Sequence, residues 1–140
     1  MLLIDRFTPQ TAGVSYNTPY QTYFEPSIPE KGSLEEIYQD VLMTMLLPCI
    51  NKAVDDYYEK NTGYSPSVDP WQPKILYIKR TNGYRTFLIQ MKLEVMPYLG
   101  AHNSIGVDHI TFRVSYKNVE VLEFEHIKDY PVPPWLQPLE

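Results

Sequence analysis

Ile75-Leu76-Tyr77-Ile78-Lys79-Arg80-Thr81-Asn82-Gly83-Tyr84-Arg85-Thr86-Phe87-Leu88-Ile89-Gln90-Met91-Lys92-Leu93-Glu94-Val95 is the stretch that decides the fold. Apolar residues recur at every second position, the period of a strand, on both sides of Asn82-Gly83. Asn-Gly is the favoured pair for a two-residue hairpin turn, whose central positions both need positive φ. Counting outward from it pairs Ile78 with Phe87 and Leu76 with Ile89. The same face continues through Met91, Leu93 and Val95, while Thr86, Gln90, Lys92 and Glu94 fall on the other. Period and turn agree, which predicts a sheet that is apolar on one side. The count also sets Arg80 opposite Arg85, a repulsion that solvent at the turn would screen.

A second hairpin follows. Ile110, Phe112, Val114 and Tyr116 alternate with His109, Thr111, Arg113 and Ser115, and Lys117-Asn118 begins a turn. In the last strand Val119 and Val121 keep one phase, and Leu122 and Phe124 the other. A bulge near Val121-Leu122 would reconcile them, setting Phe112 opposite Phe124 and Arg113 opposite Glu123.

Upstream lies one long helix. Ser33 can cap it, with Glu36 three residues on completing a capping box. Glu35 and Glu36 suit the positive end of the helix dipole. Ile37, Val41, Leu42, Met45, Leu46, Cys49, Ile50, Ala53, Val54, Tyr57 and Tyr58 recur at three and four as a wide buried stripe ending near Asn61-Thr62-Gly63. Pro48 interrupts it. Proline clashes with the carbonyl four residues back, which predicts a kink or break near Met45 to Leu47. The order predicts an α+β domain: a Pro-kinked helix across a four-stranded antiparallel sheet of two hairpins, in a cystatin-like layout.

The prolines punctuate the rest. Thirteen prolines stand against six glycines, grouped at Pro19 to Pro29, Pro66 to Pro73 and Pro131 to Pro138. The expected organisation is an extended Pro/Tyr-rich arm over 1–32, the domain over 33–128, and a Pro-rich tail over 129–140. The aromatics of the arm pack back on the domain or bind a partner, including a second copy of the chain. Trp135 and Leu136 of the tail face the same choice. Trp71, in the loop from Tyr64 to Pro73, is expected to cover an edge of the core.

Composition narrows the partners. A net charge of −5 and a single short basic cluster, Lys74, Lys79, Arg80 and Arg85, argue against nucleic acid. No segment approaches the roughly 20 apolar residues of a membrane helix. The one cysteine, Cys49, excludes an intrachain disulfide and multi-cysteine metal motifs. Met1 to Ile4 is too short an apolar run for an export signal.

The residues with chemical potential gather around Gly100-Ala101-His102-Asn103, followed by Gly106, Asp108 and His109. His102, Asp108, His109 and His126 form the metal-ligand candidates, since zinc takes imidazole and carboxylate. Their spacing matches no HExxH-type motif. His102, Asn103, Asp108 and His109 are the ligand-binding candidates. In the plainer reading His109 faces solvent, His126 ends a strand and Asn103 closes a turn. A Cys49/His102 nucleophilic pair is disfavoured, because Cys49 sits on the apolar helix face, where burial raises a thiol pKa. Asp55-Asp56 and Glu35-Glu36 diverge on the helix, and Glu123 and Glu125 share a solvated strand face, with Glu123 placed to meet Arg113. No glycine-rich phosphate loop is present. These observations identify no catalytic residue and no cofactor.

The helix segment Val41-Leu42, Leu46-Leu47-Pro48-Cys49-Ile50, Ala53-Val54 and Tyr57-Tyr58, taken with Gly100-Ala101-His102-Asn103, Gly106 and Ile110-Thr111-Phe112, resembles a family of short proteins from spore-forming Gram-positive bacteria, catalogued as domain of unknown function 3888. The resemblance spans about residues 34 to 126. It implies a domain identity and, from the look of many members, export, but no reaction. The leading expectation is a non-enzymatic binding or structural domain using the loop 97–109 and the open sheet face. The alternatives are a metal-dependent hydrolase built on His102, Asp108 and His109, and a small-ligand carrier with a pocket between helix and sheet.

Overall fold

The computed structural model describes residues 20–138. Helix α1 runs from Leu34 to Asn61. The strands are β1 (Tyr23–Phe24), β2 (Lys74–Arg80), β3 (Ile89–Val95), β4 (Tyr98–Leu99), β5 (Asn103–Ser104), β6 (Gly106–Val114) and β7 (Val119–Asp129). The chain is thus α+β, with one helix packed on an antiparallel sheet. The main sheet has five strands, in the order β1-β2-β3-β6-β7, and β4-β5 forms a separate ribbon. The fifth strand, β1, comes from the expected arm: Tyr23 pairs with Lys79 and Phe24 with Ile78. The part of the arm before Tyr20, and with it any self-association it was expected to make, lies outside the described residues. Among those described, no helix is long and apolar enough to cross a membrane.

The helix starts as expected. The Ser33 hydroxyl accepts from the Glu36 amide at 3.2 Å, and Glu36 accepts in turn from the Gly32 amide at 2.9 Å. The expected break at Pro48 is absent, and α1 runs through it without interruption. Pro48 and Thr44 both lie on the solvent side. The carbonyl that proline leaves unpaired there can bond water, so the helix loses one hydrogen bond without burying an orphan. The buried stripe also differs. Met43, Leu46, Ile50, Val54 and Tyr58 face the sheet, whereas Ile37, Val41 and Met45 are exposed. Two apolar lines run along opposite sides of this half of the helix, and only one can meet the sheet.

The first hairpin keeps its faces but changes its register. Ile78 lies opposite Met91, not Phe87, and Arg80 opposite Ile89, not Arg85. Asn82-Gly83 does not close the turn, because Gly83 takes a φ of 98° while Asn82 stays out of the positive-φ region. The loop 81–88 closes instead through Thr81 N to Leu88 O at 3.1 Å and the Arg80 guanidinium to Thr86 O at 2.6 Å. The shift is even in residues, so Ile78, Met91, Leu93 and Val95 still turn to the core. A bulge between Ile75 and Tyr77 makes Ile75, not Leu76, the buried residue.

In the second hairpin the bulge falls where expected, at Leu122, but the pairing differs. Ile110 faces Phe124 and Phe112 faces Val121, and Arg113 pairs with Glu120 instead of Glu123. Ile110 and Phe112 complete the core with the helix residues and with Val68 and Ile105. The Asn51 side chain pins the connection after the helix, bonding both the N–H and the C=O of Val68. Trp71 in that connection is exposed and covers no core edge. Of the tail, Val132 packs on the core and Trp135 is exposed.

Candidate functional site

Beneath the helix C-terminal half lies a polar cluster that runs from the buried Asp108 through His126 to the exposed Asp129. A second bulge in β7, at Ile127, sets Val107 opposite Lys128 and Asp108 opposite His126. In a regular strand residues three apart point to opposite faces. The bulge turns His126 and Asp129 to the same side. His126 Nδ1 meets Asp108 Oδ1 at 2.6 Å, and Nε2 meets Asp129 Oδ1 at 2.7 Å. From the helix, the Tyr58 hydroxyl donates to Asp108 Oδ2 at 2.8 Å. Tyr57 stacks on His126, with centroids 4.9 Å apart, and on Phe124 at 5.1 Å.

Gly106 makes the room. A Cβ there would lie 2.2 Å from the Tyr58 hydroxyl and 3.2 Å from the His126 ring. Only glycine at this point of β6 lets the phenol of the helix approach the strand backbone so closely.

Both ring nitrogens of His126 face carboxylate oxygens. A neutral imidazole has one N–H and would turn a lone pair towards one of them, whereas the imidazolium satisfies both. Burial pulls the His126 pKa down, but the hydrogen bonds and charges of Asp108 and Asp129 outweigh it and leave it above the ordinary value. Burial pushes Asp108 up, against the hydrogen bonds from His126 and Tyr58, and the net shift is upward. Tyr58 is driven far up, first by burial and then by its bond to Asp108. A phenol so held is no nucleophile at neutral pH. Asp108 is fully buried and reaches no solvent. Proton sharing within a fixed cluster is what these groups do well. Acid–base work on an outside molecule requires solvent access, which Asp108 and Tyr58 lack and Asp129 has.

The four metal candidates do not converge. His126 and Asp108 meet, as described. His109 points to the opposite face of the sheet and bonds Glu94 at 2.9 Å. His102 stands on the β4–β5 ribbon, where its ring lies 4.4 Å from Tyr98 and 6.0 Å from Trp71, with Nδ1 3.7 Å from Asp69. Among the described residues no group of three or more histidine, cysteine, aspartate or glutamate side chains is arranged to hold a metal. Of the ligand-binding candidates, Asn103 bonds Leu99 O at 3.4 Å and closes the ribbon, and His102 is the one open to solvent. Cys49 lies elsewhere, away from the partners of His102, so the two make no pair. In the sequence Tyr57 and Tyr58 read only as part of the apolar helix stripe, and Asp129 as the start of the tail. The signal was His126-x-x-Asp129 in a strand, which has meaning only once a bulge is placed between them.

Cys49 lines a second feature of the domain. A groove of about 630 Å³ runs between α1 and β7. Cys49, Ala53 and Tyr57 form its helix wall, Val119, Val121 and Phe124 its strand wall, and Lys52, Asp56, Lys60 and Asn61 complete the lining, with Lys52 paired to Asp56. Tyr57 is shared between this groove and the polar cluster.

Helix, sheet and this cluster define a small α+β domain in which the helix is tied to the last hairpin by the buried Tyr58–Asp108 hydrogen bond. The model of the family described as Protein of unknown function (DUF3888) matches residues 38–128, and the chain belongs to that family. No curated protein and no solved structure matches it.

Proposed function

We propose that the domain is a binding module without catalytic activity, and that its ligand occupies the groove between α1 and β7. The observation that carries this reading is the groove itself, whose 630 Å³ falls in the range of small-molecule sites, roughly 300–1,000 Å³. Its walls are apolar, and of the two lysines in its lining Lys52 is paired with Asp56, which leaves Lys60 to meet an anionic end. The polar cluster supports the reading from below, since a network that fixes Tyr57 against His126 keeps one wall in place without a ligand. The separation of His102, His109 and His126 speaks against the metal-dependent hydrolase. The probe that tests the reading is 1-anilinonaphthalene-8-sulfonate, an apolar body with one anionic group. Saturable binding to the native protein is expected, weakened at least tenfold by Ala53→Phe, which fills the groove. Equal binding by the Ala53→Phe protein would sink the proposal.

A further inference from the structure

The outer side of α1 changes character along its length. Leu34, Ile37, Tyr38, Val41 and Met45 are 59, 56, 64, 52 and 73% exposed. At about 100° per residue they fall within roughly a 100° arc, opposite the arc of Met43, Leu46, Ile50 and Val54 that fills the core. From Val41 to Leu47 the helix is therefore apolar on both sides, and in its first two turns it is apolar on the outer side, with Glu36 and Gln39 turned inward. Such a helix belongs in an interior, yet the sheet covers one side only. Beyond Pro48 the outer line turns to Lys52, Asp55, Asp56 and Glu59, with Lys52 paired to Asp56. The apolar patch thus has a definite end.

We infer that this stripe is the contact face of a symmetric dimer, in which α1 packs antiparallel on α1 of a second copy. The area favours this. The five side chains expose about 600 Å² per chain, so a two-fold pair that covered them completely would bury about 1,200 Å², against the roughly 1,000 Å² of a specific interface. A patch of that size lies at the upper end of what a monomer exposes, where patches are often functional. The charge pattern sets the direction. A parallel pair would lay Asp55, Asp56 and Glu59 of both copies side by side. An antiparallel pair centred between Tyr38 and Val41 opposes Leu34 to Met45 and leaves the charged halves in solvent at the two ends. An isologous contact of this kind closes on itself and leaves no free patch.

Sedimentation equilibrium of the full chain tests it. The expected result is a mass of two chains, falling to one in Val41→Glu and in Met45→Glu. Both side chains are more than half exposed, so helix content and melting of the isolated chain should not change. Circular dichroism checks that each variant is folded, and Tyr38→Lys stands in for either one that is not. A wild-type mass of one chain at the highest concentration reached overturns the inference. So does a dimer that persists in the folded variants.

Discussion

The Tyr58 hydroxyl, on the helix, donates to the buried Asp108 carboxylate of β6 across a sequence separation of 50 residues. It joins the two layers through a polar contact where the rest of their interface is apolar. Asp108 is without access to water, so each partner it loses is a partner nothing replaces. Tyr58→Phe keeps the ring and removes the donor. The expected cost is about 1–3 kcal/mol in denaturant unfolding, with little change in the dependence on denaturant. A cost below about 0.5 kcal/mol would mean that His126 alone satisfies the carboxylate.

Gly106 and Tyr58 should be coupled. A methyl group at position 106 would overlap the Tyr58 oxygen, at 2.2 Å, and would also stand 3.0 Å from the Lys128 carbonyl. Gly106→Ala is expected to cost about 1–3 kcal/mol by overpacking. In the Tyr58→Phe background the hydroxyl is gone, and part of that cost should vanish. A double-mutant cycle measures the difference. Strict additivity would show that the strand backbone, and not the phenol, demands the glycine.

The cluster also sets a pH dependence. His126 lies above its ordinary value in the folded protein, because the hydrogen bonds and charges of Asp108 and Asp129 outweigh burial. A group whose folded pKa is raised holds its proton more tightly when folded. Its stabilisation is complete below the unfolded value, about 6.5, and is lost as pH rises through the folded value. Asp108, raised by burial against its hydrogen bonds, acts in the same direction from the carboxylate range upward. The denaturation midpoint should therefore fall as pH rises above about 6.5, and the slope belongs to the coupled cluster. His126→Gln should flatten that fall. An equal fall in the His126→Gln protein would assign the slope to other groups.

Much of this architecture is legible in local pattern. Ser33 and Glu36 mark the helix start, period two marks β3 and β6, and the phase change at Val121-Leu122 marks a bulge. What escapes is non-local. Asn82-Gly83 has the chemistry of a two-residue turn, but strand pairing four residues further out overrides it. The helix carries apolar lines on two sides, and which one meets the sheet depends on where the sheet lies. The site was visible in part: Gly106, Asp108 and His126 stand out in the sequence. Their partners do not, because Tyr58 looks like one more core residue and Asp129 like one more surface acid. His102, the most conspicuous candidate, was conspicuous for its loop. Its φ of 62° shows it serving the turn of the β4–β5 ribbon, beside Gly100 at 58°.

Gly100 also seats the tail. A Cβ at that position would lie 3.0 and 3.2 Å from the two methyl carbons of Leu136. Leu136 belongs to the short turn Pro134–Leu136, and Tyr130 N, at the end of β7, bonds Ile105 O at 3.0 Å. The tail thus returns over the ribbon and closes on it with one leucine. Gly100→Ala should act twice: by about 1 kcal/mol through the positive φ, and by lifting Leu136 from its seat. Leu136→Ala should do only the second. Limited proteolysis separates them, since both variants should be cut faster beyond Tyr130 while only Gly100→Ala shifts global unfolding appreciably. A Gly100→Ala protein with the tail as protected as in wild type would show that Leu136 can adjust to the added methyl, and that the glycine is there for its backbone angle alone.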